Sequence, residues 1–362
     1  MKNRELYAAR RARVCDALKQ AGLTQMIVGD PVSIGYLTGI TFDPYERLFA
    51  VYLNVNGHHK FFLNRLFNVV QEDLAEVWMT DTDDVCAIMA REVDRTADIG
   101  IDKCWPARFL LGLMEHNPGV RYVNASFCVD NTRAVKDADE QAKMRTASRI
   151  NDACTDHMAD WIREGVTEQE CADEVLRFYL EQGADGPSFT PICSFGANAA
   201  DPHHEPDQTV LKVGDCIVLD IGCKKDGYCS DMTRTWFCQT ADPEYVRIHG
   251  IVRKAGETAE SLVKPGVRFC DLDAAARNKI DAAGFGAYFT HRLGHSIGLD
   301  DHECDDVSSA DTKEVRPGNI FSIEPGIYLP GRFGVRVEDL VLVTETGCEV
   351  LNHADRNVRI TK

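Results

Sequence analysis

Two stretches of this 362-residue chain repeat one another. LKVGDCIVLDIG at 211–222 and VRPGNIFSIEPG at 315–326 share Gly214/Gly318, Asp220/Glu324 and Gly222/Gly326 at one common offset. The likeness extends outward. Upstream of each copy lies a helical stretch ending in a glycine, Gly183 or Gly284, and then a histidine-bearing loop, 202–204 or 291–295. Downstream of each comes strand-like sequence with another acid, Asp231 or Glu338. The period is too long for a solenoid. It predicts a pseudo-two-fold domain of two similar halves, with the site between them, where pockets often form. Packed face to face, the halves would bring four carboxylates and a histidine together.

The first copy runs into a hairpin, residues 215–235. An apolar, β-branched run reaches Ile221, Asp226-Gly227 is a turn signal, and strand-like sequence resumes at Tyr228. With that turn as the tip, Lys225 faces Tyr228, Asp220 faces Thr233, and Asp231 lies two residues along on the same face. Diagonal neighbours on one face sit roughly 7–8 Å apart. Two carboxylates converging on an apolar hairpin repel each other and resist burial, and a cation between them resolves both problems. On the hairpin alone, two exposed aspartates remain an equal reading.

The net charge of −17 argues against nucleic acid or an anionic membrane as partner, because both need clustered Lys and Arg. It suits a divalent cation held by carboxylates, and equally a solvated acidic surface. The fourteen cysteines show no CxxC pair. The charged start lacks the apolar region of a signal peptide, and no apolar run approaches the roughly 20 residues that span a bilayer. These features predict a cytoplasmic protein with reduced thiols. Cys216, Cys223 and Cys229 match no zinc spacing and read as small core residues.

Residues 1–131 alternate helix and strand and read as an α/β domain. Helices are expected at 4–21, 84–93 and 106–116, and strands at 25–28, 97–101 and 120–125. Residues 48–55 and 60–63 form a hairpin around Asn56-Gly57, leaving His58 and His59 exposed. Residues 132–362 form the second domain, with the boundary near 131–135. It opens with a long amphipathic helix over 137–163. Gly165 and Thr167 then end that helix and cap the next, 168–182.

Asp220, Asp231, His295, Glu324 and Glu338 are the candidate metal ligands. Four carboxylates and an imidazole suit a pair of divalent ions of intermediate hardness: Mn²⁺, Co²⁺, Fe²⁺ or Zn²⁺. Two ions about 3.5–4 Å apart can hold a hydroxide that is nucleophilic at neutral pH. The chemistry expected is hydrolysis of an amide or ester.

The motifs VLDIG…SDMTRT, HRLGHSIGLDDHE, SIEPGIY and GVRVED, in this order, resemble the five-ligand signature of the pita-bread metallopeptidases. Within that family they look like the Xaa-Pro dipeptidases (prolidases) and Xaa-Pro aminopeptidases. The N-terminal α/β domain is also similar to theirs, so the resemblance covers nearly the whole chain. Methionine aminopeptidases share the ligands but usually lack such a domain. Creatinases share both domains and lack the ligands. A metal-free amidinohydrolase or a binding module that had lost catalysis would lack ligands, and this chain keeps all five.

The resemblance implies an α/β N-terminal domain of the creatinase/prolidase type, serving dimerisation and substrate access. It implies an α+β pita-bread catalytic domain holding two divalent ions, Mn²⁺ foremost. Asp220 would hold one metal, His295 and Glu324 the other, and Asp231 and Glu338 both. A bridging hydroxide would cleave the Xaa-Pro imide bond of short proline-containing peptides in a homodimeric enzyme. Dipeptides are the leading substrates, with an aminopeptidase acting on longer peptides as the alternative. Glu324 would handle the proton of the attacking water. His203 would assist the leaving amine or bind substrate, and His291 and His302 would touch the scissile peptide's oxygen. Arg336, two residues before Glu338, would neutralise and orient that glutamate. Arg292, helped by Arg47, would meet a free C-terminus. Tyr45, in a loop resembling one that reaches towards a partner's site, would limit the far end. The alternative is that Arg292 pairs with a local acid and the loop is only a dimer contact. Two positions depart from the pattern: Ser296 replaces a glycine, and Asp301 an apolar residue before His302. His157, His204, His249 and His353 read as structural. Glu303 stays open between a supporting role at the site and simple solvation.

Overall fold

In the N-terminal unit, Gln25–Val28 is buried at all four positions and lies inside a six-stranded sheet. The sheet order is Ala75–Met79, Lys60–Asn64, Ala50–Asn54, Gln25–Val28, Ile99–Ile101, Tyr122–Asn124. The computed structural model describes residues 2–71 and 73–362, and the chain divides between Arg133 and Ala134. The Asn56-Gly57 hairpin pairs Ala50 with Phe62 and Tyr52 with Lys60, and Gly57 takes a φ of +84°. His58 is exposed. His59 departs from expectation: it is half-buried, its Nδ1 accepts the Asn54 N–H at 3.2 Å, and burial lowers its pKa.

Three elements of this unit have no counterpart in the sequence reading: helices Pro31–Thr38 and Ser126–Arg133 and strand Ala75–Met79. Pro31–Thr38 carries good end signals. Asp30 caps Val32 and Ser33, Pro31 opens the helix, and left-handed Gly39 closes it. Its eight residues are too few to show a period, and Gly35 interrupts them.

The second unit opens with helix Ala138–Trp161, started by a capping box between Asp137 and Glu140. Thr167 and Glu170 start helix Glu168–Glu181 in the same way. The two-fold repeat is then visible strand by strand. In the first half, Ile192–Phe195, Cys216–Ile221 and Met232–Cys238 lie side by side. In the second half, Gly294–Ser296, Ile320–Ile323 and Asp339–Val343 take the same order, with Glu303–Val307 and Cys348–Val350 outside them. Two helices precede each set, Pro243–Glu260 and Phe269–Ala282 in the second. Every residue of Cys216–Ile221 and Met232–Cys238 is buried, which explains the near-continuous apolar run of the first.

The hairpin differs from the sequence reading in one respect. It is not a single ribbon. Cys216–Ile221 and Met232–Cys238 stay in the main sheet, while Cys223–Lys225 and Tyr228–Cys229 join Gly186–Pro187 in a separate small sheet. The break falls at Gly222, where a Cβ would lie 2.1 Å from the Ser230 carbonyl oxygen. The register is unchanged across it: Ile221 faces Met232, and Lys225 faces Tyr228 across a turn with Asp226 and Gly227 both at positive φ. The second half breaks at the same place. Ile323 faces Asp339 in the main sheet, and Gly326 faces Arg336 in a two-stranded ribbon. The four acids flank these two breaks.

The shared register also corrects the repeat. Asp220 faces Thr233, whereas Glu324, its repeat mate, falls opposite Glu338. Thr233 is therefore the ladder equivalent of Glu338, and Asp231 the equivalent of Arg336. The downstream acids of the two copies are not at matching positions.

Candidate metal centre and active site

Strand ends aim the acids inward. Asp220 is the penultimate residue of Cys216–Ile221, Asp231 immediately precedes Met232–Cys238, and Glu324 and Glu338 flank the second break. Asp231, His295 and Glu338 are almost fully buried. His295 Nε2 lies 3.6 Å from Asp231 Oδ2 and 3.5 Å from Glu324 Oε1. One ligand atom from each of Asp231, His295 and Glu338 falls within 4.8 Å of the others. Asp220 Oδ1, Asp231 Oδ1 and Glu338 Oε1 are buried with no hydrogen-bond partner among the described residues. Such orphaned acceptors are costly.

The electrostatics point the same way. Burial, and then the neighbouring carboxylates, push Asp231 and Glu338 well above the usual carboxylate range. Burial raises Glu324 to about 7 and lowers His295 to about 3. Left to itself the cluster would favour protons on Asp231 and Glu338 and leave its imidazole neutral. A divalent cation would supply the missing positive charge and take up the orphaned oxygens. The donor set of four carboxylates and one neutral imidazole fits such ions.

Arg336 acts on Glu338 less directly than expected. Its Nη2 donates to Asp220 Oδ2 at 2.5 Å, not to Glu338. Its Nε donates to Thr233 Oγ1 at 2.9 Å, and that hydroxyl donates to Glu338 Oε2 at 2.7 Å. The arginine therefore reaches the glutamate through a threonine. Its third nitrogen donates to Tyr328 Oη at 2.8 Å. Thr233, Tyr328 and Ser322 were missed in the sequence. Ser322 Oγ accepts the His295 backbone N–H at 3.0 Å and donates to Glu324 Oε1 at 3.2 Å. Two periodic signals were available: Ser322 shares a strand face with Glu324, and Thr233 is the cross-strand mate of Asp220.

A cavity of about 640 Å³ opens over the carboxylates. Its walls include Phe189, Thr190 and Ile192, the 202–206 segment, His291, Arg292, Asp301 and His302. His203 is exposed on the wall, its backbone N–H held by Asp201 Oδ1 at 3.1 Å. His291 has both ring nitrogens occupied: Nδ1 donates to the Arg292 carbonyl at 2.7 Å, and Nε2 accepts the Tyr328 hydroxyl at 2.9 Å. It can therefore meet a substrate with its ring but not with a free N–H. His302 lies against His295, ring centroids 3.9 Å apart. Arg292 pairs with Asp306 at 2.8 Å. Asp301 accepts the His302 backbone N–H at 3.0 Å, and the Ser296 side chain is buried. In the N-terminal unit, Arg47 forms a two-point pair with Asp81 at 3.0 and 3.1 Å, and Tyr45 is exposed at a φ of +53°.

Glu303 is neither solvated nor at the cluster. It pairs with the buried Lys136 at 2.9 Å and accepts the Leu299 N–H at 2.9 Å. A second acid–histidine group, Glu168, His204 and Asp207, also comes within ligating reach. Here the donors already match the acceptors. The Glu168 carboxylate accepts from Phe195 N, Asn198 Nδ2, Asp207 N and His204 Nε2, so this group is a tie for the loop and not a metal site.

Residues 142–345 match the family model described as metallopeptidase family M24, and residues 10–135 match the creatinase/prolidase N-terminal domain. An uncharacterized peptidase of Staphylococcus aureus is 33% identical over 351 residues, spanning 95% of this chain and 99% of that one. Dipeptidase PepE from Mycobacterium ulcerans superposes with a TM-score of 0.94 at 32% identity, over 99% of this chain and 98% of its own. A prolidase from Thermococcus sibiricus gives 0.91 at 32% identity, over 98% and 99%. By family model, by fold and by the centre its strand ends assemble, the chain is a pita-bread enzyme belonging to metallopeptidase family M24, with a creatinase/prolidase N-terminal domain.

Proposed function

We propose that the protein is an Xaa-Pro dipeptidase working with two divalent ions, Mn²⁺ first among Mn²⁺, Co²⁺, Zn²⁺ and Fe²⁺. The observation that carries this reading is the set of three orphaned, buried carboxylate oxygens beside His295, on the floor of a cavity with histidines on its walls. Asp220 would hold one ion, His295 and Glu324 the other, and Asp231 and Glu338 both. When bound, such ions supply a Lewis acid and bring the pKa of a bound water towards neutrality. The protein's own groups do the rest. Arg336 holds Asp220 in place and, through Thr233, Glu338. Glu324 takes and returns the proton of the attacking water, with Ser322 fixing one of its oxygens. His203 and His302 act on the substrate from the walls, and His291 sets Tyr328. Arg292 keeps N–H groups beyond those on Asp306 and His302, and these suit a peptide's C-terminal carboxylate.

The alternative is an aminopeptidase taking longer peptides, and one observation favours it. Arg292 and Arg47, the two guanidinium groups suggested as readers of a free carboxylate, already hold Asp306 and Asp81. Product analysis on Ala-Pro and Ala-Pro-Ala with added Mn²⁺ separates the two. A dipeptidase cleaves Ala-Pro with clearly higher kcat/KM. Equal efficiency on both peptides assigns the enzyme to the aminopeptidases.

The homodimer, the cytoplasmic location and the role of residues 1–131 in dimerisation and access belong to the same proposal. The fourteen free cysteines support the cytoplasmic location. Among the described residues, no helix is long and apolar enough to cross a membrane. Light scattering on purified protein tests the dimer.

A further inference from the structure

Strand Glu303–Val307 carries a defect beside the cluster. His295 faces Asp306, but the next residue, Ser296, faces Glu303, so Cys304 and Asp305 are looped out as a bulge. Asp305 has a φ of +83°, left-handed for a residue with a Cβ, and its buried carboxylate is tied to Lys313. The bulge ends at Asp306, which keeps regular register with Val307 and is set directly across the ladder from His295, on the same sheet face. Its carboxylate meets Arg292 Nη1 at 2.8 Å, and Arg292 Nη2 lies 3.1 Å from His302 Nδ1. Asp306 and Arg292 are both partly exposed, so their pairing contributes little to stability and its value must be sought elsewhere.

The direction of the last hydrogen bond decides what that value is. A guanidinium only donates and never loses its proton in a protein. His302 Nδ1 must therefore be the acceptor and carry a lone pair. In the neutral ring the proton is then on Nε2.

We propose that Asp306, acting through Arg292, is a positioning residue that locks His302 in the Nε2–H tautomer, so that the ring enters the cavity as a hydrogen-bond donor to the substrate's carbonyl oxygen. The donor role rests on the hydrolase reading above; the tautomer does not. The sequence position of Asp306 gives no hint of this task, because its place opposite His295 depends on a strand pairing that the bulge hides.

The test uses the full-length, Zn²⁺-loaded protein with ¹⁵N-labelled histidine, Zn²⁺ being diamagnetic. His302→Gln assigns the resonances. The parent should show His302 with an unprotonated Nδ1 and a protonated Nε2. Asp306→Ala should let the two tautomers mix, and Asp306→Asn, which still offers Arg292 an acceptor, should keep most of the parent pattern. On Ala-Pro, kcat should fall about tenfold in Asp306→Ala, a fraction of the roughly 10²–10⁴-fold that a full acid–base group contributes. Asp306→Asn should fall between the two. A proton on Nδ1 in the parent overturns the proposal. So does a loss confined to KM, or a spectrum that shifts while kcat stays at the parent value. If no Xaa-Pro peptide is cleaved, the functional reading fails alone: the spectra still decide the tautomer, and kcat is read on whichever peptide is hydrolysed.

Discussion

Glu324 illustrates how much one side chain in this site depends on its surroundings. Burial lifts its carboxyl from an ordinary 4.5 to about 7. A raised carboxyl stabilises the fold fully below its unfolded value, and that stability is lost as pH rises through the folded value. In metal-free protein the window runs from about 4.5 to about 7 and is worth up to ~3 kcal/mol. Several histidines titrate with the opposite sign, so the informative quantity is a difference. Urea unfolding of chelated parent and of Glu324→Gln at pH 5 and pH 8 should show the parent losing ground to the variant at the higher pH. An equal gap at both pH values would show that Glu324 does not carry the shift. The five ligand candidates could be named from the sequence because Asp220, His295 and Glu324 stand within two residues of a glycine in the repeated halves, and Asp231 and Glu338 are acids on the strand-like sequence that follows each copy. Thr233 and Tyr328 could not, since a hydroxyl that links an arginine to its neighbours resembles any other until the register is known.

Among elements, the strands were easier to locate than their partnerships. The hairpin register of 215–235 followed from a single turn signal, and Asp220 does face Thr233. The transfer of the tip to another sheet did not follow, because it depends on Gly186–Pro187, which are distant in sequence. Helix Pro31–Thr38 escaped for want of length. Strand Gly294–Ser296 shows what close packing demands next to a ligand. A Cβ on Gly294 would lie 2.0 Å from the Ser322 carbonyl oxygen in the neighbouring strand. Gly294→Ala must push apart the strands that carry His295 and Glu324. Overpacking of this sort costs about 1–3 kcal/mol. The variant should unfold at lower urea and copurify with less metal, both against parent. Parent-like metal content would show that the strands can yield without disturbing His295.

At the scale of the whole molecule, the repeat, the pseudo-two-fold domain and the α/β unit before it were all legible, since they depend on patterns hundreds of atoms wide. The fold also makes a demand on its environment. Removing metal leaves Asp231 and Glu338 buried without the positive charge that would favour their ionised forms. Ligands that bind only the folded state raise its stability by mass action. Chelation should therefore abolish peptidase activity and also lower the thermal midpoint, and Mn²⁺ should restore both. Asp231→Asn should be inactive with or without Mn²⁺, yet when chelated it should melt no lower than chelated parent, because it removes a buried carboxyl whose ionisation the interior opposes. Full turnover in chelated parent without added metal would contradict the two-ion reading.

The unequal register of the two halves has a consequence for what the cavity can tell apart. A duplicated fold begins with interchangeable ends. Here one ladder position holds Asp231 in the first copy and Arg336 in the second, and the position that holds Glu338 in the second holds Thr233 in the first. The interchange is lost where the two copies meet. A peptide also reads differently from its two ends, amine at one and carboxylate at the other. A cleft with mirrored chemistry could admit it either way round, whereas this cleft has a head and a tail.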